Sequence, residues 1–176
     1  EVAGRIADAS GLPAYRFPWV LEGGSVDVDG EGTCLTTRQC LLNKNRNPGM
    51  SPGAVEEGLR DALGVSTVLW LGDGLLNDHT DGHVDTLARF VAPGDVVCMA
   101  PSGADDPNRR ALLQIALDLS KMRDAGGRSL QVRTVPSPGT SWTASSGSPD
   151  SPAARRRVAT MAVLEHRALD EPRSST

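Results

Sequence analysis

The densest group of side chains suited to acid–base or ligand chemistry lies in the stretch NDHTDGHVD at positions 77–85. It contains three aspartates and two histidines, which is more than a solvated turn requires. His79 and His83 are four residues apart, and with Asp85 they offer the ligand types that a zinc-dependent hydrolase uses. The sequence Thr80-Asp81-Gly82 favours a turn, which argues against the helix that this ligand spacing needs.

A second acidic cluster, Glu22-Gly23-Gly24, could combine with His83 and Asp85 in a different chemistry. Paired carboxylates match the fork of N–H donors on a guanidinium group, and a histidine can move protons to a leaving amine and from an attacking water. Attack on an amidine carbon also requires a nucleophile, usually a thiolate. The plainer interpretation of Glu22-Gly23-Gly24 is a solvated acid followed by a turn, with Asp27 on the outward face of an edge strand.

The elements that must position these clusters form a repeat. In the first unit, the alternation of Val26 and Val28, the turn at 29–32 and the apolar residues after it predict a β-hairpin. Ser51 and Pro52 have the residue types of a helix start, and Gly64 stops that helix. The apolar residues 68–71 then predict a strand.

The second unit repeats this order. The sequences HVDTLARFV at 83–91 and VVCMA at 96–100 predict a hairpin, Asp106 and Pro107 predict a helix start, and SLQVRTV at 129–135 predicts a strand. The order ββαβ therefore occurs twice, with Gly24–Asp27 aligned to Gly82–Asp85. In a cyclic array of such units, the same end of each first strand points toward the centre. We therefore expect the two polar clusters to converge.

Composition excludes several classes of protein. The chain has 176 residues, of which 39% are hydrophobic, and it carries a net charge of −4. It contains no apolar run near the roughly 20 residues that span a bilayer, so a transmembrane protein is excluded. The acidic balance, with a pI near 5.3, predicts no nucleic-acid partner and no membrane partner. An odd count of three cysteines, without a visible secretory signal, predicts a cytoplasmic location.

Two regions are predicted along the chain. Residues 1–136 are expected to be organised, and they open with EVAGRIADAS, which predicts an amphipathic helix and a chain that begins mid-protein. Residues 137–176 contain 12 Ser or Thr and four Pro in 40 positions, so we expect them to pack poorly. A frameshift, divergence and a genuine disordered extension are the alternatives for this tail.

Two long segments carry a family resemblance. The sequences LEGGSVDVDGEGTCLTTRQCLLNKNRNP and VLWLGDGLLNDHTDGHVDTLARFVAPGDVV resemble the agmatine deiminase family, the bacterial-type peptidyl-arginine deiminase group of the guanidine-modifying pentein superfamily. The resemblance covers most of residues 1–136. It implies an α/β fold, a five-bladed α/β propeller of which about two ββαβ units are present.

The resemblance also implies roles for particular residues. Glu22 and Asp85 would be the carboxylates that bind the guanidinium, and His83 would be the general acid and base. Loop-shaping roles in substrate binding are implied for four neighbours, Gly23, Gly24, Asp81 and Gly82. A further stretch, Asn43, Asn45, Arg46 and Asn47, matches the family with a less certain role, and we interpret it as a loop fixed by asparagine side chains on backbone groups.

The implied reaction is the hydrolysis of agmatine to N-carbamoylputrescine and ammonia by a cysteine, with no metal and no organic cofactor. The implied partner is a small guanidine substrate, and a homo-oligomer is expected for the full-length protein. The family's nucleophile lies in a Gly-Gly-Gly-Asn-x-His-Cys type motif, which this sequence lacks. We interpret Cys34, Cys40 and Cys98 as small core residues, so the chain has no nucleophile and is predicted to be an inactive fragment.

Three alternatives stay open from the sequence. The substrate could be peptidyl-arginine or free arginine in place of agmatine. The protein could be a metal-dependent hydrolase that uses His79, His83 and Asp85. It could also be a non-catalytic remnant that binds guanidinium ligands or nothing.

Overall fold

The computed structural model describes residues 2–138, and there it has the α/β composition that the sequence predicts. The helices and strands are α1 (Val2–Ser10), β1 (Val26–Val28), β2 (Thr33–Thr37), α2 (Arg38–Leu41), α3 (Pro52–Leu63), β3 (Thr67–Leu71), β4 (Ala88–Ala92), β5 (Asp95–Ala100), α4 (Arg109–Lys121) and β6 (Gln131–Pro136). Single-turn 3-10 helices, Gly23–Ser25 and Val84–Thr86, precede β1 and β4. Apart from Ser137 and Pro138, the predicted tail lies outside the described residues.

The first ββαβ unit forms as predicted. Strand β1 pairs antiparallel with β2, and β2 pairs parallel with β3 across the helix α3. The Ser51 hydroxyl accepts a hydrogen bond from the Ala54 amide at 3.2 Å, which caps the start of α3. At the other end Gly64 has φ of 71°, the left-handed conformation that glycine adopts without strain. Local sequence signals therefore determine both ends of this helix.

The second unit has the same topology, with β4 antiparallel to β5 and β5 parallel to β6. Two predicted boundaries were wrong. Helix α4 begins at Arg109 after Asn108, because the Asp106 carboxylate accepts hydrogen bonds from the Ser102 and Asn108 amides and closes the preceding loop. The segment after His83 forms a 3-10 turn, so the strand starts at Ala88 and not at His83.

The two units correspond in a different register from the one that the sequence predicts. The Ser25 hydroxyl donates to the carbonyl of Glu22, and the Thr86 hydroxyl donates in the same way to the carbonyl of His83. Glu22 and His83 are the residues that precede the two 3-10 helices. The structural equivalent of Glu22 is therefore His83, and the predicted alignment of Gly24–Asp27 with Gly82–Asp85 was wrong by three residues.

Both units contribute to one hydrophobic core. Leu35, Leu69 and Leu71 of the first unit pack with apolar residues of the second unit, including Leu87 and Leu119. Each fully buried leucine of this kind stabilises the fold by roughly 1.5–3 kcal/mol relative to an exposed one. Adjacent residues of a strand face opposite sides of the sheet. Cys34, which precedes Leu35 on β2, therefore packs in a second core under α3. That second core contains Cys34, Cys40, Leu41, Val55, Leu59 and Val65.

Helix α1 forms where the sequence predicts it, but it has no buried residue among those described. Its apolar side chains Val2 and Ile6 are 73% and 65% exposed. Within residues 2–138 none of the helices combines the length and the apolar character needed to cross a bilayer.

Candidate active site

The site is built around a direct contact between Glu22 and His83. Oε2 of Glu22 lies 2.7 Å from Nε2 of His83, although the two residues are 61 positions apart in the sequence. Each residue stands at the start of a 3-10 turn that its own backbone carbonyl helps to close. The predicted convergence of the two polar clusters is therefore confirmed, and it occurs where the two units meet.

A tight turn before His83 presents the imidazole. The Asp78 carboxylate accepts hydrogen bonds from the amides of Thr80 and Gly82, both at 3.0 Å. Asp81 and Gly82 have φ of 56° and 84°, which confirms the predicted turn. The carbonyl of Gly82 accepts from the Thr37 hydroxyl at 2.6 Å, so the end of β2 holds the turn in place. This network fixes the backbone on which His83 stands.

Gly82 also satisfies a packing requirement. A Cβ at this position would lie 2.8 Å from Oε1 of Gln39, which is closer than real side chains approach. The same Gln39 oxygen accepts a hydrogen bond from the Gly74 amide at 2.6 Å. Gln39 therefore holds the loop at Gly74 and packs against Gly82, where glycine fits both the space and the positive φ.

Arg46 is the site residue that the sequence analysis did not place. Its Nε donates to Oε2 of Glu22 at 2.8 Å, and its Nη1 donates to Oδ2 of Asp81 at 2.9 Å. Its Nη2 donates to the carbonyl of Thr80 at 2.9 Å. The interpretation of residues 43–47 as an asparagine-fixed loop is confirmed by Asn43 and Asn47, whose side chains bond the backbone of Asn45 and Val20, but it missed the contacts of Arg46 with the site.

Asp85 and the glycines around it complete the site. Oδ1 of Asp85 lies 4.0 Å from Nδ1 of His83, so the imidazole has a carboxylate near each of its nitrogens. A Cβ on Gly24 would collide with the His83 ring and lie 2.6 Å from Oδ2 of Asp85, whereas one on Gly23 would meet nothing within 4 Å. The sequence analysis assigned both glycines the same role, but in the structure only Gly24 lies against His83 and Asp85.

Hydrogen bonds determine the charge state of Glu22. The bond with His83 and then the bond from Arg46 lower the pKa of Glu22 below its ordinary value, against the smaller raising effect of burial. The same contact with Glu22 raises the pKa of Arg46. Glu22 is therefore an anion at neutral pH, and its side chain is 41% exposed to solvent. A carboxylate in this state can receive a cation from solution.

The metal site that the sequence suggested is not assembled. Among the described residues, the only group of three His, Cys, Asp or Glu ligand atoms within 4.8 Å of one another is Glu22, Cys40 and His83. His79 is exposed and belongs to no such group, so the proposed set of His79, His83 and Asp85 was wrong. Glu22 and His83 are hydrogen-bonded to each other, and the Arg46 cation already pairs with Oε2 of Glu22.

The three cysteines are packed as core residues. Cys34 and Cys40 have no exposed surface and Cys98 is 1% exposed. Burial raises the pKa of Cys34 to about 12 and that of Cys40 to about 11, and it also raises the pKa of Cys98. Only the thiolate attacks an electrophile, so none of the three is suited to be a nucleophile.

We therefore predict that none of the three thiols reacts in the folded chain. At pH 8 a thiol with a pKa of about 11 is about 0.1% thiolate, and burial adds a steric barrier. A thiol-reactive chromophore should detect no group within minutes in buffer and all three after denaturation in guanidinium chloride. Fast modification of Cys40 in the native chain would contradict this prediction and reopen its candidacy as a nucleophile.

Comparisons with known proteins identify relatives of the chain. Over 140 aligned residues it is 47% identical to the agmatine deiminase of Ectopseudomonas mendocina (strain ymp). The aligned region covers 79% of this chain and 38% of that protein. Identity to the agmatine deiminase of Pseudomonas aeruginosa (strain LESB58) is 46% over 140 residues, with the same shares covered. The chain thus spans about two fifths of the length of these curated relatives.

Solved structures resemble the fold as well. The agmatine deiminase of Enterococcus faecalis superposes with a TM-score of 0.72 at 45% identity, over 76% of this chain and 37% of that one. A substrate-bound C315S agmatine deiminase of C. jejuni gives a TM-score of 0.66 at 30% identity, over 77% of this chain and 40% of the other. The model of one family, the Porphyromonas-type peptidyl-arginine deiminases, matches residues 1–163. With a match over nearly all of its length, the chain belongs to the Porphyromonas-type peptidyl-arginine deiminase family.

Proposed function

We propose that this site acts in the hydrolysis of agmatine to N-carbamoylputrescine and ammonia. The observation that carries the proposal is the arrangement of Glu22, His83 and Asp85, in which an ionised carboxylate and a second carboxylate lie on either side of an imidazole. Such an arrangement is complementary to a planar cation that must exchange protons during reaction. The agmatine deiminases among the relatives support agmatine as the substrate.

Glu22 is proposed to bind the guanidinium through Oε1. Its other oxygen, Oε2, already accepts hydrogen bonds from Arg46 and His83. Within residues 2–138 the hydrogen bonds to this carboxylate are on Oε2, and Oε1 is the oxygen that we propose receives the ligand. Asp85, whose side chain is 35% exposed, would receive a second N–H group of the same cation. Two carboxylates would then hold the guanidinium plane.

His83 is proposed to transfer the protons of the reaction. A thiolate attacks the guanidinium carbon and forms a C–S bond, and the tetrahedral adduct then expels ammonia, which leaves with a proton from the imidazolium of His83. His83 next removes a proton from water, the resulting hydroxide attacks the same carbon, the C–S bond breaks with the thiolate as leaving group, and the hydroxyl proton passes to the released ammonia. The sum is the agmatine guanidinium plus water giving N-carbamoylputrescine and ammonium, with the thiolate and the imidazolium restored. No redox step occurs and His83 transfers the protons, so the proposed route is written with neither a metal nor an organic cofactor.

The thiolate in this route is not assigned to Cys34, Cys40 or Cys98, because each is buried as a neutral thiol. We propose that the longer protein supplies it from a part that this chain does not contain. The chain alone is therefore expected to bind agmatine without turning it over.

The three free thiols also suit a reducing compartment, which supports the proposed cytoplasmic location.

The two ββαβ units are proposed to be part of a five-bladed α/β propeller. The equivalence of Glu22 and His83 supports this, because it relates the two units by their hydrogen bonds as well as by strand order. The likeness to the agmatine deiminase of Enterococcus faecalis, at a TM-score of 0.72, is a further support. In such a ring the site would lie where the starts of the first strands meet, and a homo-oligomer of the full-length protein remains part of the proposal.

Binding of agmatine to the 176-residue chain tests the function. Glu22→Gln and His83→Gln should each weaken binding about ten- to one-hundred-fold in titration calorimetry, because each removes a group that faces the ligand. His79→Gln and Glu57→Gln are matched controls outside the site, and both should bind agmatine like the unaltered chain. Equal affinity in all five proteins would contradict the proposal.

Two further readouts separate the alternatives. If an arginine-containing peptide or free arginine binds more tightly than agmatine, the proposed substrate is that compound and not agmatine. Release of ammonia from agmatine by the chain alone, at an enzymatic rate that His83→Ala does not abolish, would overturn both the assigned role of His83 and the predicted inactivity.

A further inference from the structure

Arg46 uses all three of its guanidinium nitrogens inside the site. Its guanidinium uses one nitrogen for Glu22, one for Asp81 and one for the carbonyl of Thr80, at 2.8 to 2.9 Å. The side chain is only 12% exposed, whereas those of Glu22 and Asp81 are 41% and 43% exposed. A partly buried cation therefore joins two carboxylates that are more accessible to solvent.

The backbone that carries Arg46 is itself held firmly. The Asn47 side chain, in a residue that is 3% exposed, accepts from the Val20 amide at 2.8 Å. Its amide group donates to the carbonyls of Val20 and Leu41 at 3.1 and 3.0 Å. Asn47 thus ties the loop behind Arg46 to the segment that leads into Glu22. Arg46 reaches the site from a fixed base on the first unit.

From that base Arg46 spans the boundary between the two units. Glu22 belongs to the first unit, and Thr80 and Asp81 belong to the turn that presents His83 in the second. A free glutamate side chain has three rotatable bonds and on a short 3-10 corner would sample several rotamers. With Oε2 held by both Arg46 and His83, the carboxylate is restricted to one orientation, in which Oε1 is the oxygen proposed to receive the ligand.

We propose that Arg46 is a positioning residue for guanidine binding, which holds Glu22 and the turn before His83 at a fixed separation so that both face the same ligand. The inference rests on the proposed function and extends it to a residue that does not itself contact the substrate. Arginine suits this task because its planar fork offers donors in three directions at fixed angles. A lysine ammonium at the same place would keep the charge but would lose the fixed fork geometry.

The position of the charge supports the same role. Arg46 and His83 bond the carboxylate of Glu22, and the sulfur of Cys40 lies within 4.8 Å of the ligand atoms of Glu22 and His83. Asp81 shares the Arg46 cation, and Asp85 lies on the far side of the His83 ring. Arg46 thus compensates the acidic groups around it, and after the hydrogen bond with His83 its bond is the next cause of the lowered pKa of Glu22.

The experiment compares Arg46→Met and Arg46→Lys with the unaltered 176-residue chain. Agmatine affinity by calorimetry should fall about ten-fold or more in Arg46→Met and about three-fold or more in Arg46→Lys, because small displacements of binding groups are costly. Carbon-13 NMR titration of the Glu22 carboxyl should show a higher pKa in Arg46→Met than in the unaltered chain. Arg89→Met is the matched control, since it breaks another arginine–aspartate pair between the units.

The outcomes separate this inference from the proposed function. If the unaltered chain binds no agmatine, the proposed function fails, but the Glu22 titration still decides whether Arg46 controls that carboxylate. If Arg46→Met loses stability while Glu22 titrates and agmatine binds as before, Arg46 is only structural and the inference is overturned. If Arg89→Met changes both readouts as much as Arg46→Met does, the inference is overturned as well. If Arg46→Met does not fold, the Arg46→Lys variant decides. Unchanged agmatine affinity in Arg46→Lys would show that the guanidinium fork is not needed, and the inference would be overturned.

Discussion

Replacing Gly24 with alanine is expected to weaken agmatine binding about 100-fold, which corresponds to about 2.7 kcal/mol. The added methyl group would lie 2.6 Å from Oδ2 of Asp85 and against the ring of His83, so one or both must move. Either movement separates the second carboxylate from the imidazole that it flanks. The loss would be measured by titration calorimetry with agmatine on the folded variant.

The adjacent glycine provides the control for this prediction. A methyl group on Gly23 would have nothing within 4 Å, and neither glycine has a positive φ. Gly23→Ala should therefore bind agmatine like the unaltered chain and unfold at nearly the same temperature as the unaltered chain. An equal loss of affinity in the two variants would show that backbone flexibility matters at this corner and that the space beside Asp85 does not.

Replacing Asp27 with asparagine is expected to lower the free energy of unfolding by about 2–3 kcal/mol. Asp27 is 9% exposed, and its carboxylate accepts from Nε of Arg89 at 2.8 Å and from the amide of Phe90 at 2.6 Å. These two bonds join β1 of the first unit to β4 of the second. The neutral amide removes a charge-assisted bond between a buried carboxylate and an arginine at the boundary of the units, and urea denaturation would measure the cost.

Asp95→Asn is the matched control for Asp27→Asn. Asp95 also bonds an arginine, but its partner Arg133 is 67% exposed and both residues lie within the second unit. A pair so open to solvent contributes at most about 1 kcal/mol. Equal losses of stability from the two substitutions would contradict the view that Asp27 holds the units together.

The interpretation of Asp27 illustrates where prediction from the sequence stops. Alternation with Val26 and Val28 correctly indicates a strand, and an aspartate on a strand is usually solvated. The structure places its carboxylate against Arg89 and Phe90, more than 60 positions away. The strand was predictable because it depends on neighbouring residues, but the partner was not, because it depends on how the second unit packs.

The same distinction applies to the site. Glu22, His83 and Asp85 could be chosen from the sequence, since their types suit guanidinium chemistry and two motifs surround them. Their convergence was also predictable from the repeat, although the alignment was wrong by three residues. The correct register depends on the hydroxyl bonds of Ser25 and Thr86 to the preceding carbonyls, which leave little trace in the sequence.

The sequence by itself determined the local features of this protein: the residue types of the site, both ends of α3, the turn before His83 and the order of elements in each unit. Capping, turn formation and hydrophobic periodicity act over a few residues, so they can be read in order along the chain. Only the tertiary structure decided that Arg46 enters the site and that Gly24, not Gly23, limits its space. Those outcomes depend on contacts between segments far apart in the sequence, where packing and desolvation set the geometry and the charge of each group.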